Sequence, residues 1–215
     1  MIESIGLTAR ARSILIGTLL GDGRLQPTGG RRARLRLEHG RDQAEYLLWK
    51  ADELSGIAAG RTTYLDRVHP LTRAVYRYVR HQSFASAIYG EMWKVFYPQG
   101  KKRIPDQLPE LLAEPLALAV WYMDDGYFFP RERESYLYLG TVSTEEAQTA
   151  QAVVATNFAL TPRVLDKRRK GYALYFSARQ ARALADVIGA HLLPYFRYKL
   201  PFDPVTTDRF GHTGP

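Results

Sequence analysis

Two aspartates, Asp22 and Asp125, each close an apolar stretch and each stand before a glycine: Leu15 to Gly23 reads LIGTLLGDG and Leu118 to Gly126 reads LAVWYMDDG. A carboxylate at the C-terminal end of a buried helix meets the negative end of the helix dipole, where a cation is favoured. Two such ends lying side by side bring like charges within a few ångströms, and a divalent metal resolves the repulsion. The ligands on offer are hard oxygens, with no histidine or cysteine beside them in sequence, which points to magnesium. One Asp-Gly pair is an ordinary turn. Its recurrence at the end of a second apolar helix makes it a candidate site.

These acids need a frame, and the pattern of residues supplies it. Ile14, Leu15, Ile16, Leu19 and Leu20 predict a buried helix from Thr8 to Leu20, with Thr8 as its cap. In RRARLRLEH, Arg32, Arg34, Arg36 and Glu38 alternate with Ala33, Leu35 and Leu37, the period of a half-buried strand. Asp42 and Glu45 have capping-box spacing and predict a helix ending near Gly56. Strands are expected around 62–68 and 74–80, then a helix from about Gln82 to Phe96. The proline-rich YPQGKKRIPDQLPE reads as a connection.

The order then begins again. A helix from Pro115 to Met123 carries the second motif, and a strand is expected near 136–142. Ser143 with Glu146 opens another helix, strands follow near 163–166 and 172–176, and Ser177 with Gln180 opens a last helix to about Leu193. The two acids are 103 residues apart, close to half the chain. An α+β fold of two αββαββα units is expected. Gly17 and Gly21, four residues apart, let the motif helices approach closely, whereas Val120 and Asp124 hold the matching places in the second helix, so the contact cannot be truly symmetric.

Composition sets the context. The chain has 215 residues, 46% of them hydrophobic and 12% aromatic, enough for a real core. Without cysteine it has neither disulfides nor thiolate metal sites, and an intracellular location is expected, in cytoplasm, nucleoid or an organelle matrix. No apolar run approaches the roughly 18 residues of a membrane span, and no signal-peptide pattern opens the chain, so a soluble protein without a membrane partner is expected. The formal net charge of +8 rests on 23 arginines and 7 lysines. Arginine's planar fork suits phosphates and guanine edges, so a polyanionic partner is expected.

Both aspartate stretches resemble the LAGLIDADG signature of homing endonucleases, and the repeated order extends the resemblance from about Thr8 to Pro201. The single-chain, two-motif branch that includes the omega-intron endonuclease is the most similar. It shares a basic stretch ending in Ile-Pro, here Lys101 to Pro105, the phrase Trp121 to Gly126, and Tyr198-Lys199-Leu200-Pro201. The resemblance implies a monomer of two pseudo-symmetric lobes, 8–98 and 115–201 with a linker at 99–114. It implies motif helices at the lobe interface and antiparallel sheets forming a saddle over double-stranded DNA with a long asymmetric target. Both strands would be cut across the minor groove, leaving short 3′ overhangs. Asp22 and Asp125 would bind the metal, with the main-chain carbonyls of Gly21 and Asp124 as further ligands, and Lys102 and Lys199 would be the basic members of the two sites. Two or three Mg²⁺ ions are implied, with Mn²⁺ or Ca²⁺ able to substitute for binding.

The polar strand faces would then read the DNA. Arg32, Arg34, Arg36 and Glu38 lie in steps of about 7 Å, roughly two base pairs in a major groove. Arg24, Arg61 and Arg77 join them, and Arg131, Arg133, Tyr136 and Tyr138 are the second-half counterparts. Lys167, Arg168, Arg169 and Lys170, before Gly171, suit a hairpin tip that grips phosphate. The five histidines read as bystanders, His81 as a loop or cap residue. Two other functions use the same fold: a maturase binding intron RNA, or a DNA-binding regulator without catalysis. Intact acids and lysines favour the nuclease.

Overall fold

The computed structural model describes residues 7–201, and one series of elements occurs in it twice. The first copy runs α1 (Ala9–Leu20), β1 (Arg24–Pro27), β2 (Ala33–Gly40), α2 (Ala44–Glu53), β3 (Gly60–Val68), β4 (Val75–Ser83) and α3 (Ala87–Phe96). A connection holding the short α4 (Leu108–Leu111) leads to the second: α5 (Pro115–Asp125), β5 (Gly126–Phe129), β6 (Glu134–Gly140), α6 (Thr144–Phe158), β7 (Arg163–Asp166), β8 (Tyr172–Phe176) and α7 (Ala178–Ile188). Each half builds one four-stranded antiparallel sheet, β1-β2-β4-β3 and β5-β6-β8-β7.

Local chemistry accounts for most of the boundaries. Alternate residues of β2 are buried, Ala33, Leu35, Leu37 and His39, while Arg34, Arg36 and Glu38 face outward. Thr8 caps α1 by accepting from the Ala11 N–H, and Ser143 and Glu146 form the full capping box of α6. Two other expected caps are used otherwise. Arg41–Gln43 winds into a 3-10 turn, so α2 starts at Ala44 without a side-chain cap. The Gln180 side chain accepts from the Thr161 N–H at 2.7 Å, which leaves Ser177 without its partner, and α7 stops at Ile188. Helix α3 begins at Ala87, capped by Ser86, because Gln82 and Ser83 still belong to β4.

The two halves meet along α1 and α5. A Cβ on Gly17 would lie 2.4 Å from the Ala117 carbonyl oxygen and 2.6 Å from Val120 Cβ, and one on Gly21 would lie 2.4 Å from Asp124 Oδ2. Gly17 within α1 and Gly21 just past its end therefore each make room for the larger residue at the equivalent place in α5, so the seam is complementary, not symmetric. Among the described residues no helix is long and apolar enough to cross a membrane.

Candidate active site and nucleic-acid face

The close seam delivers two acids to one place. Helix α1 ends at Leu20, where Gly21 donates its N–H to the Gly17 carbonyl at 3.0 Å. Asp22 follows, 47% exposed. Helix α5 stays helical through Asp125. Burial first, then the charges of Asp22 and Asp124, push the Asp125 carboxyl up to about 7. Burial and then Asp124 raise Asp22. Among the described residues neither Asp22 nor Asp125 forms an ion pair with a lysine or arginine. Adjacent carboxylates without their own cation fit a hard divalent ion such as magnesium.

Two lysines reach the same region from outside the helices. Much of Lys102 is exposed, yet its ammonium turns inward and donates to the Gly21 carbonyl and, at 3.0 Å, to that of Gly23. Lys199 donates to the Met123 carbonyl at 2.7 Å and the Asp124 carbonyl at 3.4 Å, and the Tyr122 hydroxyl holds the Lys199 carbonyl at 2.8 Å. Each lysine thus closes the end of a different motif helix. The two carbonyls expected as additional metal ligands, Gly21 and Asp124, are among those the ammonium groups hold. Burial lowers the pKa of both lysines, with Asp22, Asp124 and Asp125 opposing it. A pocket of about 260 Å³ is lined by Gly21, Lys102, Trp121 and Asp125, so one site draws on both halves of the chain.

Sequence alone missed three residues beside these acids. The Asp124 carboxylate is buried and accepts from Lys50 at 2.5 Å, Tyr46 at 2.8 Å and the Asp22 N–H at 3.1 Å. With three donors satisfied it acts as a strut between the halves, and Lys50 and Tyr46 are its anchors on α2. His39 is the third: its Nδ1 lies 3.7 Å from Asp22 Oδ2, and ligand atoms of Asp22, His39 and Asp124 lie within 4.8 Å of one another. Burial, then Lys50, lowers the His39 pKa and favours the neutral ring. His39 is therefore no bystander. His81 lies in β4, where it bonds Thr62 at 3.0 Å, and is neither a loop nor a cap residue. His212 lies outside the described residues.

The pairing registers show which strand residues share a face. Arg24, Arg36, Gln82 and Arg61 form one row across the first sheet, with Gln26 beside Arg34 and Glu38 beside Arg80. Burial opposes ionisation of Glu38, but hydrogen bonds from Arg80, Arg36 and Arg67 bring its pKa down to about 2. Arg32 is exposed just ahead of β2. Arg77 pairs with Asp66 and shares the parity of Val79 and His81, so it belongs to the opposite face from Arg36, contrary to its grouping by sequence. The equivalent row of the second sheet is Tyr127, Tyr136, Tyr175 and Arg163, and Tyr138 follows Tyr136 on the same face. Arg131 and Arg133 fall in the turn between β5 and β6, not on a strand beside Tyr136. Arg168–Lys170 forms a 3-10 turn joining β7 to β8, and Lys167 just before it rests its Nζ 4.5 Å from the Tyr136 ring centre.

Comparison with known proteins places this arrangement. The model of the LAGLIDADG DNA endonuclease family matches residues 12–184. The DNA endonuclease I-ChuI of Chlamydomonas applanata is 26% identical over 216 residues, covering 91% of this chain and 96% of that protein. Protein RecA of Mycolicibacterium chitae is 35% identical over 123 residues, which is 56% of this chain and only 26% of that relative's length. Among solved structures, the homing endonuclease I-WcaI bound to its DNA recognition sequence shares the fold, with a TM-score of 0.83 at 19% identity over 94% of this chain and 90% of that one. With a match that spans both halves and both aspartate-tipped helices, this chain belongs to the LAGLIDADG DNA endonuclease family.

Proposed function

We propose that this protein is a site-specific endonuclease that acts as a monomer on a long asymmetric duplex, hydrolysing one phosphodiester in each strand across the minor groove. The lobes of this reading are 8–98 and 115–201, joined by 99–114. The observation that carries it is the pair Asp22 and Asp125, at equivalent helix ends and forming no ion pair with a lysine or arginine among the described residues, with Lys102 and Lys199 holding the main-chain carbonyls of Gly21 and Met123 beside them. Asp22, Asp125 and the carbonyls of Gly21 and Asp124 would hold divalent metal. When bound, the metal supplies Lewis-acid stabilisation of the attacking and leaving oxygens. Lys102 and Lys199 place ammonium groups where they can take up negative charge on the phosphate as it develops. His39 stands 3.7 Å from the Asp22 carboxylate, close enough to join it on a shared ion, and the Lys50–Asp124 pair holds the two helix ends in register. Arginines of the first sheet, with Lys167 to Lys170 of the second, grip backbone and groove.

The test is a cleavage selection from a randomised plasmid library in Mg²⁺, followed by assays on the recovered target. Asp22→Asn or Asp125→Asn should abolish double-strand cleavage and leave DNA affinity within about tenfold, since each removes a metal ligand and no base contact. Wild-type cleavage by either variant would overturn the assignment.

A further inference from the structure

The two sheets carry different chemistry at equivalent places. Arg24 and Tyr127 each stand two residues after a motif aspartate, and each begins a row that crosses four strands. In the first sheet the row is Arg24, Arg36, Gln82, Arg61; in the second it is Tyr127, Tyr136, Tyr175, Arg163. One step along the hairpins, about 7 Å away, the pair Gln26 and Arg34 is matched by Phe129 and Glu134. At four of these six places a hydrogen-bonding side chain of the first half is an aromatic ring in the second, the exceptions being Arg163 and Glu134.

The state of these groups sharpens the contrast. Arg24 and Arg61 are exposed and, like the half-buried Arg34, make no ion pair among the described residues, so the first two present free guanidinium groups to a ligand. In the second sheet the hydroxyls of Tyr136 and Tyr175 are both donated to Glu134, which occupies that carboxylate as well. What remains to meet a ligand is ring surface. Tyr127 is 46% and Phe129 40% exposed with ring centres 6.1 Å apart, and Tyr136 stands 5.4 Å from Tyr175 and 6.2 Å from Tyr138, so the rings form two clusters that adjoin through the register pair Tyr127–Tyr136. Lys167 and Arg163 lie over Tyr136 and Tyr175, which leaves positive charge at the β7 edge.

Each base pair shows a distinct pattern in the major groove: guanine offers O6 and N7 to an arginine fork, and thymine offers a methyl group to apolar side chains. We infer that the chain reads a target of uneven composition, with guanines under the Arg24 row of the first sheet and thymine methyls under the Tyr127 row of the second. This deepens the endonuclease reading and rests on it. Because both rows begin two residues from the acids, the contrast applies to the base pairs nearest the cut in each half-site.

A binding selection from a randomised duplex library in Ca²⁺, read by sequencing, tests it. The enriched site should have one guanine-bearing half and one thymine-bearing half. Arg24→Ala should relax guanine preference in the first by about tenfold, and Tyr127→Ala should relax thymine preference in the second, with Tyr127→Phe retaining it. Replacing thymine by uracil in the second half-site, which removes only the methyl group, should weaken binding several-fold. Halves of equal guanine and thymine content, or indifference to uracil, would overturn this inference and leave the endonuclease reading standing. Tighter binding of single strands than of duplex would assign the rings to base stacking and overturn it as well. Failure to enrich any sequence would overturn the endonuclease reading and the inference with it.

Discussion

Lys50→Met isolates the strut between the halves. Lys50 Nζ lies 2.5 Å from Asp124 Oδ1 with both side chains fully buried, and methionine fills much of the lysine stem's volume. The variant leaves the Asp124 carboxylate with the Tyr46 hydroxyl and the Asp22 N–H but no cation. Removing one partner of a buried pair costs about 3–5 kcal/mol, and in a chain of this size each kcal/mol lowers Tm by about 2–4 °C, so the melting temperature should fall by roughly 6–20 °C. Adding Asp124→Asn to the variant removes the stranded charge, and the amide oxygen still accepts hydrogen bonds, so much of the loss should return. Circular-dichroism melts of the wild type, both single variants and the double variant, all in EDTA, form a double-mutant cycle. A Lys50→Met melting point within about 2 °C of wild type, less than one kcal/mol on this scale, or losses that simply add, would refute the strut.

Three further outcomes follow from the site. Asp125, pushed up to about 7, keeps a proton in the folded state that the unfolded chain has already released. The metal-free protein should therefore lose stability as pH rises from about 4 to about 7, and Asp125→Asn should lessen that slope in urea titrations at several pH values; an unchanged slope would contradict the shift. Lys102→Met and Lys199→Met should keep specific binding and slow opposite strands, seen by strand-specific sequencing of nicked plasmid, and equal slowing of both strands by either would mean that the sites are not separable. Lys167→Ala and Arg169→Ala should each reduce the log–log salt dependence of binding by about one, which filter binding across a salt series measures; an unchanged slope would remove them from the phosphate contacts.

The motif helices, the repeat and the alternation of β2 were legible because each extends over a full period of its pattern. β1 and β5 were not, since four residues carry too little periodicity to separate a strand from a turn. The two failed caps have different causes: Asp42 lies in a turn wound tighter than a helix, whereas Gln180 bonds Thr161, which is distant in sequence. His39 and Lys50 did leave a signal. His39 continues the buried parity of Ala33, Leu35 and Leu37, and Lys50 falls on the apolar face of α2 with Tyr46, Leu47 and Leu54. A polar residue on a buried face calls for a partner, but only the fold names Asp22 and Asp124 from 17 and 74 positions away in the chain. Arg77 was misplaced by one step of parity, which in a strand is a change of face.

The fit of Gly17 to Val120 and of Gly21 to Asp124 has a consequence for how halves can be paired. A pair built from two first halves would set glycine against glycine and lose the contacts that Gly17 makes with Val120 and Gly21 with Asp124. A pair built from two second halves would drive valine into valine and one buried carboxylate into another, with no Lys50 to neutralise either. Each half therefore fits its counterpart better than its own copy: the two units share a plan but are not interchangeable, and a lobe borrowed from a relative must bring the matching side of the seam.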